Sequence, residues 1–437
     1  MNQYYNALKE KIQNRELRIA IAGMGYVGLP LAKTIANAGF RDIIGLDIDL
    51  DKIKKINNGM SVINTLEVSD LENLLASGFR ATSDFSLLDQ ADALVICVPT
   101  PLNQYKEPDL SYIVSTVEMA SKFLSKGVFL SLESTTWPGT TEEVIAKILE
   151  NTGFSIGKDL FLGYSPERED PGRSDYTTAT IPKIISGQTN QCLHIADSFY
   201  GSFINEVVRV SNPKTAELVK LLENIQRSVN IGLMNEMKMI ADKMNINIFE
   251  VIEAAASKPF GFTRYLPGPG VGGHCIPVDP FYLTWKAKEF NFHTKFIELA
   301  GEINDGMPNY IIQKITSILN NYKKSISGSK LLILGLSYKK NISDLRESPN
   351  LEILQELITL GAEVDYSDPF FENIPPLRKF NFNMKSQSLN KDSIASYDLV
   401  ILLTDHDTFD YELIKKYSKH IVDTRGIFKL DKTTTYA

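Results

Sequence analysis

The segment that most restricts the fold is an apolar run, Leu17–Ala22, that breaks into Gly23-Met24-Gly25-Tyr26-Val27-Gly28 and continues with helical periodicity over Tyr26–Ala38. A G-x-G-x-x-G turn between a strand and a helix has a physical purpose at each glycine. The first makes the tight turn, the second lets backbone approach a pyrophosphate, and the third lets helix pack closely on strand. The helix N-terminus then offers unpaired N–H groups and the positive end of its dipole to the phosphates. Asp47 ends the second apolar run, Ile43–Asp47. A carboxylate there accepts from a ribose 2′-hydroxyl and repels a 2′-phosphate, which favours NAD over NADP. The alternative is a glycine turn in an α/β domain that binds nothing, with Asp47 as a cap.

The same rhythm continues. Ala93–Val98 and Val128–Leu132 are apolar runs followed by turn chemistry, and Leu160–Tyr164 and Lys183–Gly187 read as further strands. Strands alternating with helix-length spacers predict βαβ units on a parallel sheet over residues 1–211. At Asn212-Pro213 the pattern turns helical, with Asn212 as N-cap and Pro213 in the first turn. Leu218, Leu221, Leu222, Ile225, Val229, Leu233 and Met237 recur at helical spacing. A glycine-rich stretch, Leu266–Gly273, interrupts; helices resume near Pro280 and over Ile297–Tyr322. Strands return at Lys330–Leu336, Glu363–Tyr366, Leu399–Thr404 and Ile421–Asp423, with a helix at Asn350–Leu360. The expected fold is α/β: two Rossmann-like, doubly wound parallel-sheet domains (1–211 and 324–437) joined by an all-helical domain (212–323). The apolar stripe of that central domain exceeds what its neighbours would cover, which predicts a homodimer through these helices.

Composition narrows the function. A net charge of −7, with Lys and Arg scattered, gives no pull toward nucleic acid. No run approaches the length of a membrane-spanning helix, so no membrane partner is expected. The polar, mixed-charge N-terminus is neither signal nor transit peptide and reads as a short exposed helix. Three cysteines, Cys97, Cys192 and Cys275, are too few for a disulfide scaffold and indicate a reducing, cytoplasmic setting.

Three further places carry chemistry. In Gly270-Val271-Gly272-Gly273-His274-Cys275-Ile276-Pro277-Val278-Asp279-Pro280, glycines bring backbone close to something and a single cysteine follows them just before a helix. Such a setting can favour the thiolate, the reactive form. The plainer reading makes Cys275 a small buried hydrophobe and Asp279 an N-cap. His274 reads as a loop or substrate-contact residue, and no histidine has metal-ligand spacing, so no metal is expected. Glu167, in Tyr164-Ser165-Pro166-Glu167-Arg168, follows a strand end, where open α/β sheets bind ligands. Lys220 and Asn224 are four residues apart and share one helix face, which by spacing alone could be a solvated face.

Together these residues resemble the UDP-glucose/GDP-mannose dehydrogenase family, nearly end to end from Leu17 to Phe428. The resemblance rests on the glycine loop with its Tyr-Val-Gly-Leu-Pro tail, Val98-Pro99-Thr100-Pro101, Glu133-Ser134-Thr135-Thr136 and Ser165-Pro166-Glu167-Arg168. It continues through Ala216-Glu217-x-x-Lys220-Leu221-x-x-Asn224, Gly272-Gly273-His274-Cys275, Tyr338-Lys339 and Asp344-Leu345-Arg346-Glu347-Ser348-Pro349. It implies an N-terminal NAD domain, a helical dimerisation core and a C-terminal UDP-sugar domain. The implied activity is oxidation of C6 of the sugar to a carboxylate with two NAD, for surface polysaccharide or glycan precursors.

On this resemblance Cys275 would form a thiohemiacetal and then a thioester. Lys220 and Asn224 would stabilise the C6 oxyanion, and Asp279 and Glu167 would handle protons and the hydrolytic water. Thr135 would position that water or the cofactor. Gly23, Gly25, Tyr26, Val27, Gly28, Asp47, Thr100, Thr135 and Arg346 would hold NAD. Glu167, Arg168, Lys220, Asn224, Arg264, Gly272, Lys339 and Arg425 would hold the nucleotide sugar. Pro171 stands where glucose-specific members have a second glutamate, so that acid's role does not carry over. The Ser-Pro-Glu-Arg-Glu-Asp-Pro-Gly and Gly-Gly-His-Cys-Ile-Pro-Val-Asp-Pro strings resemble the branch acting on N-acetylated sugars, with UDP-N-acetylglucosamine the implied substrate and UDP-N-acetylgalactosamine, UDP-N-acetylmannosamine and UDP-glucose the alternatives, since no motif reports hydroxyl orientation. Two other readings remain: a two-electron hydroxyacid-type NAD dehydrogenase, which needs no nucleophilic cysteine, and a non-catalytic binding module.

Overall fold

The computed structural model describes residues 2–437 except 64–65, 104, 169–176, 274 and 378. Glu169, Asp170, Pro171, Gly172 and His274 therefore lie outside the described residues. The chain divides into two compact units, Met1–Glu223 with Phe281–Phe292, and Asn224–Pro280 with His293–Ala437. Both carry a sheet, and the helices expected to form a central domain are shared between them.

In the first unit the strands are β1 (Arg18–Ala22), β2 (Asp42–Leu46), β3 (Arg80–Thr82), β4 (Ala93–Ile96), β5 (Val128–Leu132), β6 (Leu160–Tyr164), β7 (Lys183–Gly187) and β8 (Val207–Arg209). They lie in the order β3-β2-β1-β4-β5-β6-β7-β8. The first six follow the dinucleotide-binding order, whose crevice opens where the order reverses, between β1 and β4. Strands β4, β5 and β6 are buried along their whole length, as strands covered on both faces must be. One pair departs from the all-parallel expectation: β6 and β7 run antiparallel, with no crossover helix between them among the described residues.

The second unit holds β9 (Lys330–Leu334), β10 (Glu363–Ser367), β11 (Leu399–Leu402), β12 (Ile421–Asp423) and β13 (Thr434–Tyr436), ordered β10-β9-β11-β12-β13 and parallel throughout. This is the other common doubly wound order, with its switch point between β9 and β11. Alternate residues feed opposite faces. Leu331, Ile333, Leu399 and Ile401 join one apolar cluster, while Leu332, Leu334, Val400 and Leu402 join another.

Asn212 caps the long helix Pro213–Lys243, its Oδ1 accepting the Thr215 N–H at 2.9 Å. The N-terminal helix, Gln3–Asn14, is not simply exposed: it buries Leu8 and Ile12 in the core of the first unit. No disulfide joins the three cysteines. Among the described residues no helix is long and apolar enough to cross a membrane.

Candidate active site

At the β1/β4 switch point the glycine turn has the geometry its pattern requires. Gly23 sits at φ +98°, and a Cβ on it would lie 2.6 Å from the Cys97 carbonyl oxygen at the end of β4. A Cβ on Gly28, which opens the helix Gly28–Asn37, would collide with the Gly23 carbonyl. Gly25 differs: nothing lies within 4 Å of where its Cβ would point. The turn is packed on its inner side and open at the second glycine, which fits a pyrophosphate against that backbone. Tyr26 and Val27 complete the turn, both half-buried. Thr100 lies half-buried in the loop after β4. Thr135 lies half-buried in the loop after β5, where Ser134 Oγ donates to the Val98 carbonyl at 2.6 Å and ties the two loops together.

Asp47 follows β2 and is buried. One carboxylate oxygen accepts from the Met24 N–H (2.9 Å) and from Lys52 Nζ (2.8 Å), the other from the Asp49 N–H (3.0 Å). Burial pushes the carboxyl pKa up, but these donors outweigh it and hold the pKa below its usual value. The carboxylate thus stays ionised, with lone-pair capacity left for a ribose hydroxyl. Lys52 is a neighbour the sequence reading missed. Its charge offsets part of the repulsion a 2′-phosphate would meet, so discrimination should be about 2 kcal/mol, roughly 30-fold in kcat/KM for NAD over NADP. Equal kcat/KM for the two cofactors would contradict Asp47 as the selector, and Asp47→Ser should narrow the gap.

The solvated-face alternative for Lys220 and Asn224 does not hold, since both side chains are buried. Lys220 Nζ donates to the Glu167 carbonyl oxygen (2.8 Å) and lies 3.2 Å from its carboxylate. One turn along the helix, Asn224 Nδ2 donates to Asp279 Oδ2 at 2.5 Å. Asp279 is buried and opens the helix Asp279–Ala287; its N–H donates to the Cys275 carbonyl at 2.8 Å. Arg168 is held by protein groups, donating to the Pro182 carbonyl (2.9 Å) and pairing with Glu223. Glu217, quoted in the family motif but given no role, is wholly buried. It accepts from the Gly139 and Thr141 N–H groups (2.6 and 2.9 Å) and from Thr141 Oγ1 (2.7 Å). It therefore caps the turn after the Thr135 loop from the helix that carries Lys220.

In the second unit the glycine-rich stretch leading to half-buried Cys275 lies against the carboxyl end of the second sheet. A Cβ on Gly272 would lie 2.5 Å from Tyr338 Cβ, and one on Gly273 (φ +83°) would lie 3.0 Å from the Tyr338 ring. The Gly273 N–H donates to the Arg346 carbonyl (3.0 Å), while the Arg346 guanidinium grips Asp344 (2.6 Å at its closest). Gly268 passes under Arg425, whose Nη1 would lie 2.8 Å from a Cβ there. Arg425 Nε donates to the Leu403 carbonyl at 2.6 Å. Lys339 is half-buried beside Tyr338 in the turn after β9. Arg264 pairs with Glu253 and shares with Arg425, Lys340, Asp405 and Phe249 a cleft of about 520 Å³. That volume is in the range of small-molecule sites.

Models of one family match almost the whole chain. The NAD binding domain of the UDP-glucose/GDP-mannose dehydrogenase family matches residues 17–204, its central domain 214–306 and its UDP binding domain 332–430. The chain is 34% identical over 427 residues to a UDP-N-acetyl-D-glucosamine 6-dehydrogenase of Pseudomonas aeruginosa, covering 96% of this chain and 99% of that one. It is 35% identical over 421 residues to a UDP-N-acetyl-D-mannosamine dehydrogenase of Pyrococcus horikoshii, covering 94% and 96%. A solved UDP-D-ManNAc dehydrogenase structure from Pyrococcus horikoshii superposes with a TM-score of 0.87 at 32% identity, covering 96% of this chain and 98% of that one.

Proposed function

Because this chain belongs to the UDP-glucose/GDP-mannose dehydrogenase family and carries that family's NAD binding domain, we propose that it oxidises C6 of a UDP-N-acetylhexosamine to the uronate. The proposed substrate is UDP-N-acetylglucosamine, and the route is a covalent adduct on Cys275. The observation that carries this reading is the Cys275 loop, whose glycines lie against Tyr338 and Arg425 at the ligand end of the second sheet. A two-electron dehydrogenase has no use for a cysteine held there.

NAD, when bound, takes up one hydride in each of the two oxidations. The chain's own groups do the rest. A carboxylate, Glu167 or Asp279, relays the C6 hydroxyl proton as the alcohol becomes an aldehyde. The Cys275 thiolate then adds to the aldehyde carbon, breaking the C=O π bond and leaving an oxyanion. Lys220 and Asn224, buried donors on one helix face, stabilise that charge. Loss of the second hydride leaves a thioester. Water, its proton passing to the Asp279–Asn224 pair, attacks the carbonyl and the thiolate departs. Thr135 aligns water or cofactor, and Arg168, Arg264, Gly272, Lys339 and Arg425 hold the nucleotide sugar. Arg346 belongs to the cofactor set.

The epimer is tested with UDP-N-acetylglucosamine, its manno and galacto epimers and UDP-glucose, with NADH measured by absorbance and product by mass. We expect two NADH per sugar. UDP-N-acetylglucosamine should exceed UDP-glucose by about tenfold or more in kcat/KM, since a pocket built for an amide leaves polar groups unpaired with plain glucose. Preference for the manno epimer, the substrate named for the Pyrococcus relative, would reassign the sugar and keep the reaction. One NADH per sugar would end the four-electron reading.

The same proposal includes a homodimer. Leu233, Met237 and Ile240 follow one another at helical spacing on the long helix, Met244 stands just past its end, and all four are exposed. Light scattering at micromolar concentration should give twice the chain mass; a monomer there would contradict it.

A further inference from the structure

We propose that Tyr338, backed by the buried His406–Asp368 pair, is a positioning residue that couples nucleotide binding in the turn after β9 to the Cys275 loop. This rests on the reading of the second sheet as the UDP-binding module. The turn Gly335–Asn341 is held from beneath at several points. Asp368, just past β10, accepts from the Leu336 and Ser337 N–H groups (2.7 and 3.2 Å) and, through its other oxygen, from the Phe370 N–H (2.8 Å). His406, past β11, is fully buried; its Nε2 lies 3.3 Å from the Asp368 carboxylate. Its Nδ1 accepts the Asn341 N–H at 3.0 Å, so the ring is held between that backbone and Asp368. Asn350 Nδ2 donates to the Ser337 carbonyl (3.1 Å), and Thr404 Oγ1 to the same oxygen (2.6 Å).

A turn fastened so fully at Ser337 and Asn341 leaves Tyr338 a fixed wall. Against that wall the chain has two consecutive glycines, Gly272 and Gly273, and any side chain at Gly272 would collide with Tyr338. Cys275 follows two residues later. The glycines two and three residues before the thiol are thus seated on the residue adjacent to Lys339. A nucleotide that braces the Tyr338–Lys339 segment also braces the Cys275 loop, and opening motions of the two are shared rather than independent.

The test is the rate of Cys275 alkylation by iodoacetamide, followed by peptide mass mapping to separate it from Cys97 and Cys192, with and without saturating UDP. UDP binding is measured separately by calorimetry. UDP lacks the sugar, so it should slow alkylation of the wild type through the loop, by about fivefold or more. Tyr338→Phe should keep that slowing. In Tyr338→Ala it should fall below about twofold although UDP still saturates. If Tyr338→Ala does not fold, Tyr338→Leu fills the space without the ring and carries the same expectation. UDP binding with unchanged wild-type alkylation, or equal slowing in the Ala or Leu variant, overturns the coupling and leaves the proposed function standing. Failure of UDP to bind the wild type overturns both.

Discussion

Cys275→Ala should abolish steady-state uronate formation while NAD and UDP-sugar binding survive. The first oxidation needs only a base and hydride loss. The second needs a tetrahedral adduct that can itself lose hydride, and a thiolate is the nucleophile suited to form it. Cys192 is buried in the first unit's core, and Cys97 follows β4 with its carbonyl against Gly23, so neither replaces it. The loss should reach about six orders of magnitude in kcat, the scale seen when a covalent nucleophile is removed. Cys275→Ser should lose nearly as much but could leave a slowly hydrolysed ester, visible as added sugar-nucleotide mass on the intact protein. Two NADH per sugar from Cys275→Ala at close to the wild-type rate would end the thioester route and return Cys275 to a packed thiol beside a helix start.

Lys220→Ala should lower kcat by about 10²- to 10³-fold, the usual cost of removing one donor to a developing oxyanion. It should also destabilise the fold, because Glu167 would keep a largely buried carboxylate without its cation, at a cost of about 3 kcal/mol. The two effects separate in a cycle with Glu167→Gln. The double variant should recover most of the lost Tm, since no unpaired charge remains, but none of the kcat. Recovery of kcat together with Tm would mean that Lys220 only neutralises Glu167 and has no part in stabilising the oxyanion.

What the sequence alone determined follows from periodicity and backbone sterics, which act locally. Strands β5, β6, β7 and β12 were legible to the residue because each is a short apolar run bounded by turn chemistry. The glycine turn was legible because Gly23 and Gly28 obey local steric rules. Strands β3, β8 and β13 escaped because none of these three-residue strands is buried throughout, whereas the equally short β12 is buried at every position. Side-chain identity could name Cys275, Asp279, Lys220 and Asn224 as candidates, but not their partners. Whether Lys220 and Asn224 faced water was decided by Glu167 and Asp279, each more than 50 residues away in the chain. Tertiary packing likewise put Lys52 on Asp47, Glu217 under the Thr135 loop, and Tyr338 against Gly272 and Gly273. His406, one of the histidines without metal-ligand spacing, lies just past β11, where the ligand rule for open α/β sheets could have marked it. Its contacts with Asn341 and Asp368 needed the fold. Hydrogen bonds and close approaches depend on distances between remote segments, and those distances exist only once both sheets have closed.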